Sequence, residues 1–143
     1  MGRVFMQPID DPFAVVLKEI ESMRGRTRVI IVDFHAEATS EKVAMGWYLD
    51  GRVTACVGTH THVPTADSRV LPGGTAYITD VGMTGPRGGV IGMDREAALR
   101  RFVSKVPSKL ETSTDDPWLN AVLVEAGSDM RATAIEQLLI PAG

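Results

Sequence analysis

Cysteine is all but absent from this chain of 143 residues, which carries one, Cys56. A single thiol excludes an internal disulfide. Its place inside the apolar run Val53-Thr54-Ala55-Cys56-Val57 marks it as a buried, inert side chain in a reducing, intracellular compartment. No apolar run approaches the ~20 residues of a membrane-spanning helix, and neither a signal peptide nor a lipidation motif is visible, so a cytoplasmic location with no membrane partner is expected. An excess of positive charge is also missing. Fifteen Lys and Arg against eighteen Asp and Glu leave a net charge of −3. That excludes a nucleic-acid scaffold, which needs a basic surface to neutralise phosphates. Repeats and low-complexity segments are lacking too. What remains, 44% hydrophobic and 23% charged residues, is an ordinary globular composition, read as a single domain over residues 1–143.

The order of elements points to an α/β fold. Asp11-Pro12 reads as an N-cap followed by proline at the first helical position, and Phe13, Val16, Leu17, Ile20 and Met23 keep helical spacing over 12–23. The run 28–34 reads as a buried strand. Thr39 or Ser40 is expected to cap a helix that ends at Leu49, before Asp50-Gly51. A strand over 53–57 follows. Helices alternating with strands imply a parallel sheet with crossover helices. Leu71-Pro72-Gly73-Gly74 marks a turn before a strand at 75–80. The stretch Val81–Gly92, with five glycines and a proline, is a loop suited to close backbone approach. A helix over 94–104, capped by Asp94, is expected to turn Ala98, Leu99, Phe102 and Val103 inward. Residues 118–125 and 130–140 read as an antiparallel hairpin around Gly127-Ser128-Asp129.

All three histidines fall at strand ends, where α/β proteins build ligand sites. His35 follows the strand 28–34, and His60 and His62 follow the strand 53–57. Imidazole is the commonest metal ligand, and residues at i and i+2 of an extended chain share one side. A lone histidine there is more often a satisfied polar residue, but three on neighbouring strands make a metal site the favoured reading. Glu37 and Glu41 either ligate metal or face solvent in a first helical turn. Asp33 either orients an imidazole or ends its strand. Asp67 and Asp80 are open to the same two readings. The glycine-rich loop either admits a phosphate or base or is a plain surface loop. Three histidines alone suit a mononuclear zinc hydrolase. A two-metal phosphoesterase needs carboxylates, an amide ligand and a general acid besides.

The strings His35-Ala36-Glu37-Ala38-Thr39-Ser40-Glu41-Lys42, Gly58-Thr59-His60-Thr61-His62-Val63-Pro64 and Gly74-Thr75-Ala76-Tyr77-Ile78-Thr79-Asp80-Val81-Gly82-Met83-Thr84-Gly85-Pro86 closely resemble the YmdB-like bacterial metallophosphoesterases. The resemblance runs from Met1 through the terminal hairpin. It implies part of a calcineurin-like metallophosphoesterase sandwich: a parallel or mixed sheet with flanking helices and a C-terminal β-hairpin. It also implies hydrolysis of 2′,3′-cyclic nucleotides and related phosphodiesters, using two divalent ions (Fe, Mn or Mg) that activate a hydroxide for in-line attack. By motif position, His35 and His60 resemble ligands of one metal and His62 a ligand of the other. Asp33, Glu37, Thr61, Thr84 and Gly85 stand as supporting or substrate-loop residues.

The chain resembles only the C-terminal half of that family. The aspartate, bridging glutamate, asparagine ligands and general-acid histidine of the pattern have no counterpart, and the sole asparagine, Asn120, falls in the terminal hairpin. The expectation is therefore a truncated or complemented enzyme with an open sheet edge that favours self-association or a complementing chain. Its alternative is a non-catalytic remnant that binds a metal or a partner. A cupin-type metal barrel, suggested by Gly-x-His-x-His alone, fails because no glutamate follows at the required interval and helices alternate with strands.

Overall fold

The structure, a computed structural model, describes residues 1–7, 10–107 and 109–143. The Asp11 carboxylate accepts the Phe13 N–H at 3.0 Å and Pro12 occupies the first turn, so α1 (Pro12–Met23) starts where side-chain chemistry satisfies a free donor. It lays Phe13, Val16, Leu17 and Ile20 on the core. β1 (Ile31–His35), α2 (Thr39–Leu49) and β2 (Ala55–Thr59) form a parallel unit in which Asp33 pairs with Val57 and His35 with Thr59. β2 also pairs in parallel with β4 (Ala76–Ile78). The short β3 (Arg69–Val70) lies antiparallel beside β4, so the order is β1-β2-β4-β3. α2 makes the crossover from β1 to β2, whereas an irregular segment carrying β3 leads from β2 to β4.

The core gathers Phe34, Ala36, Met45, Leu49, Cys56 and Tyr77 between α1, α2 and the sheet. Gly46 lets α2 approach closely, because a Cβ there would strike the Tyr77 ring. Burial pushes the Cys56 thiol up to about 12, helped by the Asp33 charge, which leaves it protonated and inert.

A second, antiparallel sheet joins β5 (Gly85–Pro86), β6 (Pro117–Ala126) and β7 (Ala132–Pro141) in that order. The expected hairpin is thus one part of a three-stranded sheet whose first strand comes from the glycine-rich loop. Small residues bring the two sheets together: Ala55, Ala76 and Ala132 pack under Val70, Val124 and Ile135, and the Ala132 N–H donates to the Gly74 carbonyl at 2.7 Å.

Several expectations are corrected. The run 28–34 is not buried on both sides: Val29 and Ile31 are exposed, because nothing among the described residues covers that face of β1, which is also an edge strand with β2 as its sole neighbour there. Neither Thr39 nor Ser40 caps α2. Ala38 occupies that position without a side-chain bond. Glu41 does not face solvent; it is buried and accepts the Arg3 and Val4 N–H groups, tying the N-terminal segment to α2. α3 (Arg95–Ser104) starts at Asp94 as expected but turns only Ala98 inward, leaving Leu99, Phe102 and Val103 exposed. Its place is set by the cap and not by an apolar face. Asp94 Oδ1 accepts the Ala97 N–H at 2.8 Å, so Asp94→Ala is expected to cost about 1 kcal/mol, a drop in Tm of about 3 °C by calorimetry. Among the described residues, no helix is long and apolar enough to cross a membrane.

Candidate functional site

The parallel register sets the end of β1 beside the end of β2, and the two strands hand their terminal side chains to one another. Thr59 Oγ1 donates to Asp33 Oδ1 at 2.8 Å, so its contact with His35 Nδ1 at 3.1 Å makes that nitrogen the donor. His35 Nε2 then carries a bare lone pair. It stands 3.0 Å from His60 Nδ1, with the two rings edge to face. The far side of His60 is held as well, by Nε2–H to Glu37 Oε2 at 2.8 Å. Asp33–Thr59–His35 and Glu37–His60 thus hold His35 Nε2 and His60 Nδ1 facing one another at hydrogen-bond distance. A metal ion fits: two nitrogens ~2.1 Å from one ion at a right angle stand ~3 Å apart. Holding the other ring nitrogen on a polar partner is how ligand imidazoles are oriented. Among the described residues, no group of three or more His, Cys, Asp or Glu is placed to hold a metal ion, so the two imidazoles do not form a closed ligand set.

His60 and His62 do not lie on an extended backbone as the i, i+2 spacing suggested. Both sit at positive φ, 112° and 68°. That conformation costs a non-glycine residue energy and persists only when its surroundings impose it. Asp80 imposes it here. Its Oδ2 accepts the Thr61 N–H at 3.0 Å, the Thr61 hydroxyl at 2.8 Å and Lys42 Nζ at 2.7 Å, and its Oδ1 accepts the Gly82 N–H at 2.9 Å. Lys42 and Asp80 are each 1% exposed. Burial pushes the Asp80 carboxyl up, but Lys42 and the Gly82 and Thr61 donors outweigh it and leave the pKa below the ordinary 3.8. Asp67 behaves alike: its burial is outweighed by bonds from Thr65 and Thr79. The sequence reading missed Lys42. The signal was its register, because 42, 45, 46 and 49 share the buried face of α2.

The turn sends the two histidines apart. His60 faces His35, while His62 Nδ1 bonds the Ile91 carbonyl at 2.9 Å and its ring lines a half-open cleft of about 450 Å³. Gly85 lines the same cleft. Thr84 does not reach into it through its hydroxyl, which donates to the Asn120 carbonyl and accepts the Asn120 N–H.

The parallel strands and their terminal side-chain cluster define an α/β protein of the kind that carries its site beyond the carboxyl ends of the sheet. A sequence model of the YmdB-like proteins matches residues 1–138, and the chain belongs to that family. It is 51% identical over 140 residues to a 2′,3′-cyclic-nucleotide 2′-phosphodiesterase of Bacillus subtilis (strain 168), an overlap of 97% of this chain and 53% of that protein. A crystal structure of a hypothetical protein from Thermus thermophilus superposes with a TM-score of 0.91 at 42% identity, over 99% of this chain and 55% of the other. A phosphatase structure from Mycoplasma pneumoniae gives 0.85 at 42% identity, over 94% of this chain and 49% of the other. The chain spans about half the length of the proteins it matches.

Proposed function

We propose that this chain carries the histidine part of a divalent-metal phosphodiesterase centre acting on 2′,3′-cyclic nucleotides or related small phosphodiesters. The supporting observation is the pair of facing nitrogens, His35 Nε2 and His60 Nδ1, each with its ring held from behind. In this reading His35 and His60 hold one ion, His62 contributes to a second, and groups beyond the described residues complete both sets. Bound divalent ions, with Fe, Mn and Mg as candidates, would supply charge neutralisation at phosphorus and an activated water nucleophile. Asp33 and Thr59 keep the His35 proton on Nδ1, and Glu37 keeps that of His60 on Nε2. Asp80, through Thr61, holds the His60–His62 turn. The family membership and the Bacillus relative support the substrate class. The open ligand set favours a second reading, a non-catalytic metal-binding remnant.

The test is Mn²⁺ titration of the purified chain by calorimetry, with hydrolysis of bis(p-nitrophenyl) phosphate in parallel. One weakly held Mn²⁺ and little or no turnover are expected. Binding should vanish in His60→Ala. Thr59→Val, which breaks the link from Asp33 to His35, should weaken it about 10- to 100-fold. Turnover by the chain that disappears in His60→Ala or His62→Ala would refute the remnant. Equal Mn²⁺ affinity in parent and His60→Ala would remove the metal reading altogether.

A further inference from the structure

The cleft beside His62 has walls suited to something flat. Pro64, Met83, Ile91 and Leu139 make it largely apolar. At its mouth β5 pairs Gly85 with Trp118, which sets the next residue but one, Arg87, against the indole. The Arg87 guanidinium lies 4.3 Å from the centre of the Trp118 ring. The Trp118 ring is held by its Nε1–H, which donates to Asp116 Oδ1 at 2.8 Å. None of the ion pairs among the described residues uses Arg87. A planar cation lying over an aromatic ring can offer its outer face to a second planar group. Asn120 adds a polar element. Its Nδ2 donates to the Met83 carbonyl at 2.7 Å, and its Oδ1 has no donor among the described residues.

We infer that this cleft is a nucleobase subsite, in which Arg87, backed by Trp118, stacks on the base while the phosphate of the same molecule reaches the histidines. The inference rests on the phosphodiester reading above and names the end of the substrate that lies away from the chemistry. The volume suits it: about 450 Å³ falls in the ~300–1,000 Å³ range of small-molecule clefts and leaves room for a base and part of its ribose. Stacking on guanidinium and aromatic planes is the usual way an unpaired base is held, and it tolerates any base because each has a π-face. His62 joins the two regions, since its ring lines the cleft and its neighbour His60 belongs to the imidazole pair.

The test compares adenosine 5′-monophosphate, ribose 5-phosphate and inorganic phosphate by calorimetry on the full chain with saturating Mn²⁺, and adenosine alone by tryptophan fluorescence. Adenosine 5′-monophosphate should bind about tenfold more tightly than ribose 5-phosphate, which lacks only the base. Arg87→Ala should abolish that preference, and so should Arg87→Lys, which keeps the charge but loses the plane. Full affinity in Arg87→Lys would make Arg87 a charge contact to phosphate and overturn the stacking. Equal affinity of the parent for the two phosphates would overturn the subsite. His60→Ala separates the two claims. A base preference that survives with no Mn²⁺-dependent phosphate binding in any protein supports the cleft and refutes the metal centre. Intact Mn²⁺ binding without base preference does the reverse.

Discussion

Replacing Lys42 by methionine is expected to lower stability by about 3–5 kcal/mol, because it leaves the Asp80 carboxylate buried without its cation. The pair is 1% exposed on both sides, and the Lys42 Nζ to Asp80 Oδ2 distance is 2.7 Å. Methionine fills much of the lysine stem, so the loss comes from charge and not from a cavity. Asp80→Asn in the Lys42→Met background should recover part of it, since a neutral amide no longer needs a cation, and the two changes together should cost less than their sum. Acid supplies a second signature. The folded-state pKa of Asp80 is depressed, so its contribution is complete above the unfolded value of 3.8 and is lost as pH falls through the lower folded value. In Lys42→Met burial disfavours the charged form, so protonation relieves the variant while it costs the parent. Urea unfolding at pH ~7 and pH ~3 should therefore show the gap between them narrowing with acid. A constant gap would mean that lysine packing, and not its charge, is what matters. The site should suffer too, because Asp80 holds Thr61 and thereby the positive φ of His60 and His62.

Gly58→Ala is expected to cost about 3 kcal/mol or to prevent folding, at the upper end of overpacking effects. A Cβ on Gly58 would overlap the Thr79 carbonyl, meeting its carbon at 2.8 Å and Lys42 Cδ at 3.0 Å. The first obstacle is backbone and cannot rotate away. It is also held in place, because the Val81 N–H donates to the Gly58 carbonyl at 2.9 Å. The chain beyond β4 thus runs against β2 where β2 delivers Thr59 and His60. The midpoint of denaturant unfolding measures the loss. A midpoint within experimental error of the parent would show that Thr79 can shift, and would detach the histidine turn from this close approach.

Some of this was legible in the residues themselves. Asp11-Pro12 and Asp94 mark helix starts by chemistry that acts within a few residues, and both are observed. The run Val53–Val57 reads as a strand because it is short and apolar, and its residues are buried or nearly so. Legibility failed where burial depends on which element lies opposite. Ile31 and Phe102 are as apolar as core residues, yet both are exposed, because nothing among the described residues covers them. Glu41 reads as a residue of a solvated first turn and Lys42 carries no local signal beyond its register, yet both are buried, since the N-terminal segment and Asp80 come from elsewhere to meet them.

By itself, then, the sequence determined the α/β order of elements, the strand-end positions of the three histidines and the family, all carried by short-range patterns and dense local motifs. Tertiary structure alone decided that His35 Nε2 and His60 Nδ1 face one another, that His62 turns instead to a cleft, and that Lys42 and Asp80 hold the turn between them. Those outcomes depend on strand register and on contacts between residues distant in the chain. Local propensity carries no information about either.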